Sequence, residues 1–230
     1  MKYAEVYREI QEGTAPARLP GWVLDELTEV AEGRRQLTAI HHPLGFVCLP
    51  LERAGEFGIC VHAWPDRCPT RPAKEPVLTT SPMHSHSWDL LSFVLYGEVH
   101  NQLVQVSDAP VDPTHRICEV RSNGDIDEIR PTSRVVRWEP GPSRSTAAGE
   151  SYRLAAGEFH MTVIPEQTQA ATVVLGRGRP DVVDMSLGGL DTRAHQVPRQ
   201  RCARTETASA AGLVASRLTD RMTRSGKRGG

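Results

Sequence analysis

The chain has 230 residues, with 27 basic and 28 acidic side chains giving a net charge of −1, so nothing in its electrostatics points to nucleic acid or a membrane surface as the main partner. No apolar run approaches the ~20 residues that span a bilayer, while 19 glycines and 17 prolines suit a turn-rich β protein. The five cysteines (Cys48, Cys60, Cys68, Cys118 and Cys202) are odd in number and contain no CxxC pair, which argues for reduced thiols in the cytoplasm over a disulfide framework or a zinc ribbon.

In chain order, Tyr3, Val6, Tyr7 and Ile10 recur at helical spacing and predict a short amphipathic helix, too charged for a signal peptide, that stops at Gly13. A second helix is expected from Pro20 to Leu37, with Trp22, Val23, Leu24, Leu27, Val30 and Ala31 as its apolar stripe. The period then changes. LGFVCLPLER and EFGICVHAWP read as a β-hairpin, and PDRCPTRPAKEP as a proline-rich loop. LLSFVLYGEVHNQLVQV reads as two strands hinged at Gly97, followed by short strands in RICEVRS, IDEIRP and SRVVRWEP. PGPSRSTAAGE is expected as a loop, and SYRL, MTVIPE and AATVVLG close the strand series. Many short strands at close spacing predict a mainly β sandwich or barrel. The expected plan is an N-terminal helical extension over 1–40, a barrel over 41–180, and a basic C-terminal tail over 181–230, partly helical or disordered. Within that tail, 207–223 suits a docking helix with Leu213, Val214, Leu218 and Met222 on one side; the long segment 98–148 suits extra strands or a lid.

Residues 83–88 read MHSHSW, placing two of nine histidines at i and i+2. On a strand those positions share a face, so His84 and His86 can grip one object. Gly97 follows His86 by eleven residues, and much later Gly149, Ala155, Gly157 and His160 stand in the spacing G-x5-A-x-G-x2-H. These two stretches resemble the paired motifs of the cupin superfamily, G(x)5HxH(x)3–4E(x)6G and G(x)5PxG(x)2H(x)3N. Thr79 and Ser81 occupy the region where the first motif has its leading glycine, Ala155 replaces the second motif's proline, and Ile164 its asparagine. The position of the family's glutamate ligand is Leu90; Asp89 lies one place early, which on a strand is the opposite face. The resemblance therefore implies a cupin (double-stranded β-helix or jelly-roll) barrel whose metal is held by His84, His86 and His160 alone. That ligand set, the preceding hairpin and the N-terminal helices are similar to those of the thiol (cysteine) dioxygenases. Where those enzymes carry an arginine for the substrate carboxylate, this chain offers His41 and His42.

Neutral imidazoles suit Fe(II), the expected metal, with Zn, Ni, Mn or Cu as alternatives, and three of them leave positions open for substrate. Such a site favours an anionic co-ligand, so the expected activity is that of an iron dioxygenase acting on a small anionic molecule, a thiol among the candidates. The alternatives are a redox-neutral metal enzyme (isomerase, lyase or hydrolase) and a non-catalytic ligand-binding barrel. His62, His100 and Tyr152 are the candidate proton-moving groups. His62 and Trp64 share a strand face with Cys60, Trp88 has the parity to wall the pocket, and either Tyr152 or Arg153 points inward. The cysteines are expected as small core residues. The expected partners are a small-molecule substrate and a second copy of the chain in a homodimer.

Overall fold

The computed structural model describes residues 1–65, 78–165 and 168–226; the proline-rich loop and Cys68 lie outside this range. Helices α1 (Tyr3–Gln11) and α2 (Ala15–Ala31) come first. The first strands are β1 (Ile40–His41), β2 (Val47–Ala54), β3 (Phe57–Trp64), β4 (His84–Ser85), β5 (Trp88–Tyr96) and β6 (Glu98–Asp108). They are followed by β7 (His115–Asn123), β8 (Ile126–Ala147), β9 (Ser151–Leu154), β10 (His160–Val163) and β11 (Ala170–Gly178). The chain ends with β12 (Asp184–Gly188), β13 (His195–Pro198), β14 (Gln200–Arg201) and helix α3 (Arg204–Gly226).

The strands form two antiparallel sheets, ordered β14-β1-β2-β3-β11-β5-β9 and β13-β8-β6-β10-β4-β12-β7. Together they make the jelly-roll barrel. Alternation along the first sheet explains its two buried faces. Leu91, Phe93 and Leu95 of β5 and Val173 and Leu175 of β11 join Ile59, Val61 and Leu49 in a core shared with the helices. The intervening Leu90, Val94 and Val174 turn inward to meet Tyr152, Leu154 and Val99 inside the barrel. Val6 of α1, Leu19, Val23 and Leu27 of α2, and Val214 and Leu218 of α3 supply the helical side. Among the described residues, no helix is long and apolar enough to cross a membrane.

Three expectations differ. Helix α2 starts at Ala15 instead of Pro20, because its buried stripe already begins at Ala15 and Leu19, and Pro16 takes the first-turn place; Pro20 stands inside. It ends before Gly33, whose φ of +76° suits a helix stop, and not at Leu37. The expected strands IDEIRP and SRVVRWEP and the expected loop PGPSRSTAAGE are largely one strand, β8, which runs on to Ala147. A register shift between Gln102 and Val104 on β6 accommodates Pro140, Gly141 and Pro142, so these residues bend the strand without ending it. Segment 98–148 is thus mostly strand, as β6, β7 and β8, with no separate lid among its described residues. Of the stretch expected as a tail, β12, β13 and β14 take places in the two sheets and α3 packs its Ala211, Val214 and Leu218 into the core. Met222 stays exposed.

Candidate metal centre

His84 and His160 lie directly opposite one another where β4 pairs with β10. His86 is not on β4 but just past it, where the chain leaves the second sheet for β5 in the first. The i, i+2 pair thus straddles the crossing between sheets, and its two rings still meet with centroids 4.7 Å apart. His160 stands 4.4 Å from His84 and 5.1 Å from His86 on the same measure. The nearest ring nitrogens of the three lie within 4.8 Å of one another.

The surrounding backbone orients the rings. Nδ1 of His84 donates to the Pro82 carbonyl at 2.8 Å, and Nδ1 of His160 donates to the Glu158 carbonyl at 3.1 Å. Each bond fixes the tautomer that leaves an Nε2 lone pair for a cation, which is how metal-bound histidines are commonly held. The Gly157 amide donates to the His86 carbonyl at 2.8 Å, so the glycine of the second motif anchors the backbone of the first. On its other side β4 pairs with β12, Ser186 facing His84. Burial, helped by His84, pushes the His160 imidazole down to about 3; burial also pushes His84 down, against the Pro82 carbonyl and the Asp184 charge, and burial with the charges of His84 and His160 pushes His86 down. All three are therefore neutral and free to donate. The donor set fits a divalent transition ion.

Among the described residues no carboxylate joins them. Leu90 points into the barrel interior. Asp89 faces outward, accepting from the Ala156 amide at 3.0 Å and from Arg179 Nε at 2.7 Å, partners that hold its carboxyl below the usual range. Asp89→Asn should therefore leave metal content equal to wild type by elemental analysis; a loss of bound metal would place the carboxylate in the ligand set.

The other candidates divide. Trp88 stacks on His86 at 4.3 Å and rests on Gly176, where an added Cβ would come within 2.9 Å of its ring. His62 and Trp64 line the inner wall with Phe46, whose ring lies 4.3 Å from His62 and 5.2 Å from Trp64. Tyr152 is the inward member of its pair, with its hydroxyl beside Ser92 and Asn101 instead of the three histidines, while Arg153 turns out over Tyr7. His100 is a correction. It has the opposite parity to the buried Val99 and Asn101, is 41% exposed, and sits 3.2 Å from Glu98 on the outside of the barrel. Sequence reading missed Phe46, and it paired His41 with His42 although only one of them faces the centre. His42 stacks on Phe46 at 4.3 Å, and burial and then the charges of His62 and His84 push it to about 3. His41 groups instead with Cys202 and Glu206. Arg199, bound to Asp127 at 2.8 Å, lies close enough for its charge to be felt at His42 and Cys48.

No family model matches the chain, and no curated protein does. Among solved structures it is similar to hydroquinone 1,2-dioxygenase from Sphingomonas sp. TTNP3 with 4-hydroxybenzoate bound, at TM-score 0.33 and 14% identity over 56% of this chain and 64% of that one. Hydroxypropylphosphonic acid epoxidase from S. wedmorenis gives TM-score 0.30 and 16% identity over 58% and 50%. Oxalate oxidase gives TM-score 0.33 and 16% identity over 62% and 56%. In each case the match spans less than two thirds of the other protein's length. Likeness this loose leaves the geometry of the centre itself as the ground for function.

Proposed function

We propose that the chain is a mononuclear metal-dependent oxygenase of the cupin type, of dioxygenase character, that acts on a small anionic substrate. The observation that carries this reading is the convergence of three neutral imidazoles, two of them oriented by backbone carbonyls, with no carboxylate among the described residues joining the set. Three neutral ligands leave a divalent cation its full charge and open coordination positions, which favours an anionic group as the next ligand. Ferrous iron is the metal proposed; when bound it would supply Lewis acidity and an electron source for dioxygen.

The chain's own residues define what reaches that centre. Trp88 walls the side of His86, and Phe46, with His42 and His62 stacked on it, gives an aromatic wall carrying two imidazoles. The field of Arg199 at His42 adds to the preference for an anion. The buried His42 imidazole, held neutral, acts as a hydrogen-bond donor or acceptor for substrate oxygens without adding charge. His62 is the candidate proton-moving group with the best position, ahead of Tyr152 and His100.

The test is oxygen-electrode measurement on protein loaded anaerobically with ferrous iron, screened against small thiols, carboxylates and enolisable acids. Oxygen uptake that needs substrate and disappears in His86→Ala is expected. Substrate turnover without oxygen uptake would replace this reading with redox-neutral metal chemistry, and tight binding without turnover would replace it with a ligand-binding barrel.

A further inference from the structure

A second group of metal-ligating side chains lies on the inner wall of the same barrel. In the β2–β3 ladder Cys48 is directly opposite His62, and Pro50 is opposite Cys60, so Cys60 is the diagonal neighbour of Cys48 on the shared face. That face is the inner one, because Val47, Leu49, Val61 and Ala63, at the alternate positions, belong to the core under the helices. Both Sγ atoms and a ring nitrogen of His62 lie within 4.8 Å of one another. Donors around one ion at the usual bond lengths, about 2.3 Å to sulfur and about 2.0 Å to nitrogen, stand about 3.3–4 Å apart, so small side-chain rotations close the set.

We infer that Cys48, Cys60 and His62 form a second metal site, distinct from the three-histidine centre, that takes a soft or borderline cation such as Cu+ or Zn2+. Two thiolates and one imidazole are the donors such ions prefer. The register argues against the other fate of two adjacent thiols. Diagonal residues on an antiparallel pair have Cα atoms about 7–8 Å apart, at or past the limit of about 7 Å for a disulfide, whereas an ion reaches both sulfurs without moving the backbone. The electrostatics agree. The hydrogen bond with Cys48 and then His62 pull the Cys60 thiol well below its ordinary value, while Cys48 is pushed up. The cations whose charges reach the pair are Arg53 and Arg199, and Arg199 already pairs with Asp127. Both cysteines are only partly buried, which leaves an approach from solvent. Occupation of this site would take His62 out of proton transfer at the neighbouring centre.

The inference goes beyond the proposed oxygenase reading and does not depend on it. Its test is a Co2+ titration of the metal-stripped, reduced full-length chain under anaerobic conditions, followed by absorption. Cobalt bound by histidines alone gives no sulfur-to-metal charge-transfer band; cobalt bound by thiolates does. Two equivalents are expected, one of them with that band. Cys48→Ser and Cys60→Ser should each lose the band and one equivalent, and His160→Ala should keep the band while losing the other equivalent. His62→Gln, which retains both thiols, should weaken the band-forming equivalent about tenfold or more, and this variant decides the matter should the serine variants not fold. No band in wild type, a band that survives Cys48→Ser, or unchanged affinity in His62→Gln would overturn the assignment.

Discussion

Ferrous iron should raise the melting temperature of the protein and leave that of His160→Ala where it was. A ligand that binds only the folded state stabilises it by RT ln(1 + [L]/Kd), about 2.7 kcal/mol at a hundredfold excess over Kd. For a chain of this size that corresponds to a rise of roughly 5–10 °C. His160 is the ligand whose loss isolates this term most cleanly. It is 2% exposed, and its Nδ1 donates to the Glu158 carbonyl at 3.1 Å. Removing the ring leaves that carbonyl unpaired and a void behind it, which should cost about 1–3 kcal/mol in the metal-free protein. The baseline therefore falls in the variant, and the readout is the difference between scans with and without iron. Both scans belong in a Cys48→Ser background so that the thiol cluster contributes nothing. An equal rise in wild type and His160→Ala would remove His160 from the ligand set.

Much of this centre was legible because strand geometry turns spacing into position. His84 and His160 are separated by most of the barrel in sequence but are direct partners in the β4–β10 ladder, and Gly157 closes on the His86 carbonyl. The loss of the fourth ligand was equally legible: Leu90 inside and Asp89 outside follow from the period of two on β5. Phe46 and the orientation of His42 were not legible, because they reach the centre through the order of β1, β2 and β3 in the facing sheet, and no spacing in the chain encodes sheet order. The cysteine cluster was hidden for a related reason. Cys48 and Cys60 look isolated in sequence, and only the β2–β3 register sets them beside His62. Strand β8 misled because Pro140, Gly141 and Pro142 are strong breakers by local propensity, and pairing with β6 through a bulge overrides them. The short strands β12–β14 carry little alternation of their own; their partners, β4, β7, β8 and β1, define them.

Gly97→Ala should be the most damaging of the glycine substitutions at a turn, and Gly124→Ala shows why. Both glycines have positive φ, +77° at Gly97 and +60° at Gly124, a conformation that costs an L residue about 1–2 kcal/mol. At Gly124, in the turn between β7 and β8, an added Cβ meets nothing within 4 Å, so that cost is the whole expected loss. At Gly97 the Cβ would fall 2.1 Å from the Gln169 carbonyl oxygen and 2.8 Å from the Ala170 Cα. Those are backbone atoms at the start of β11, which cannot rotate aside. Relief requires shifting β11 against Trp64 and Tyr96 or pulling the first residues of β6 away. We expect a loss of more than about 4 kcal/mol by equilibrium denaturation, clear of the Gly124→Ala value. Equal losses in the two variants would mean that the turn relaxes freely. The collision also has a functional consequence, because β6 carries β10: His100 pairs with Val163 and Leu103 with His160. Movement that relieves Gly97→Ala therefore displaces one of the three converging rings, and metal retention should fall in that variant while Gly124→Ala keeps it. A glycine eleven residues from His86 thus acts on the centre through the strand that holds His160 in place.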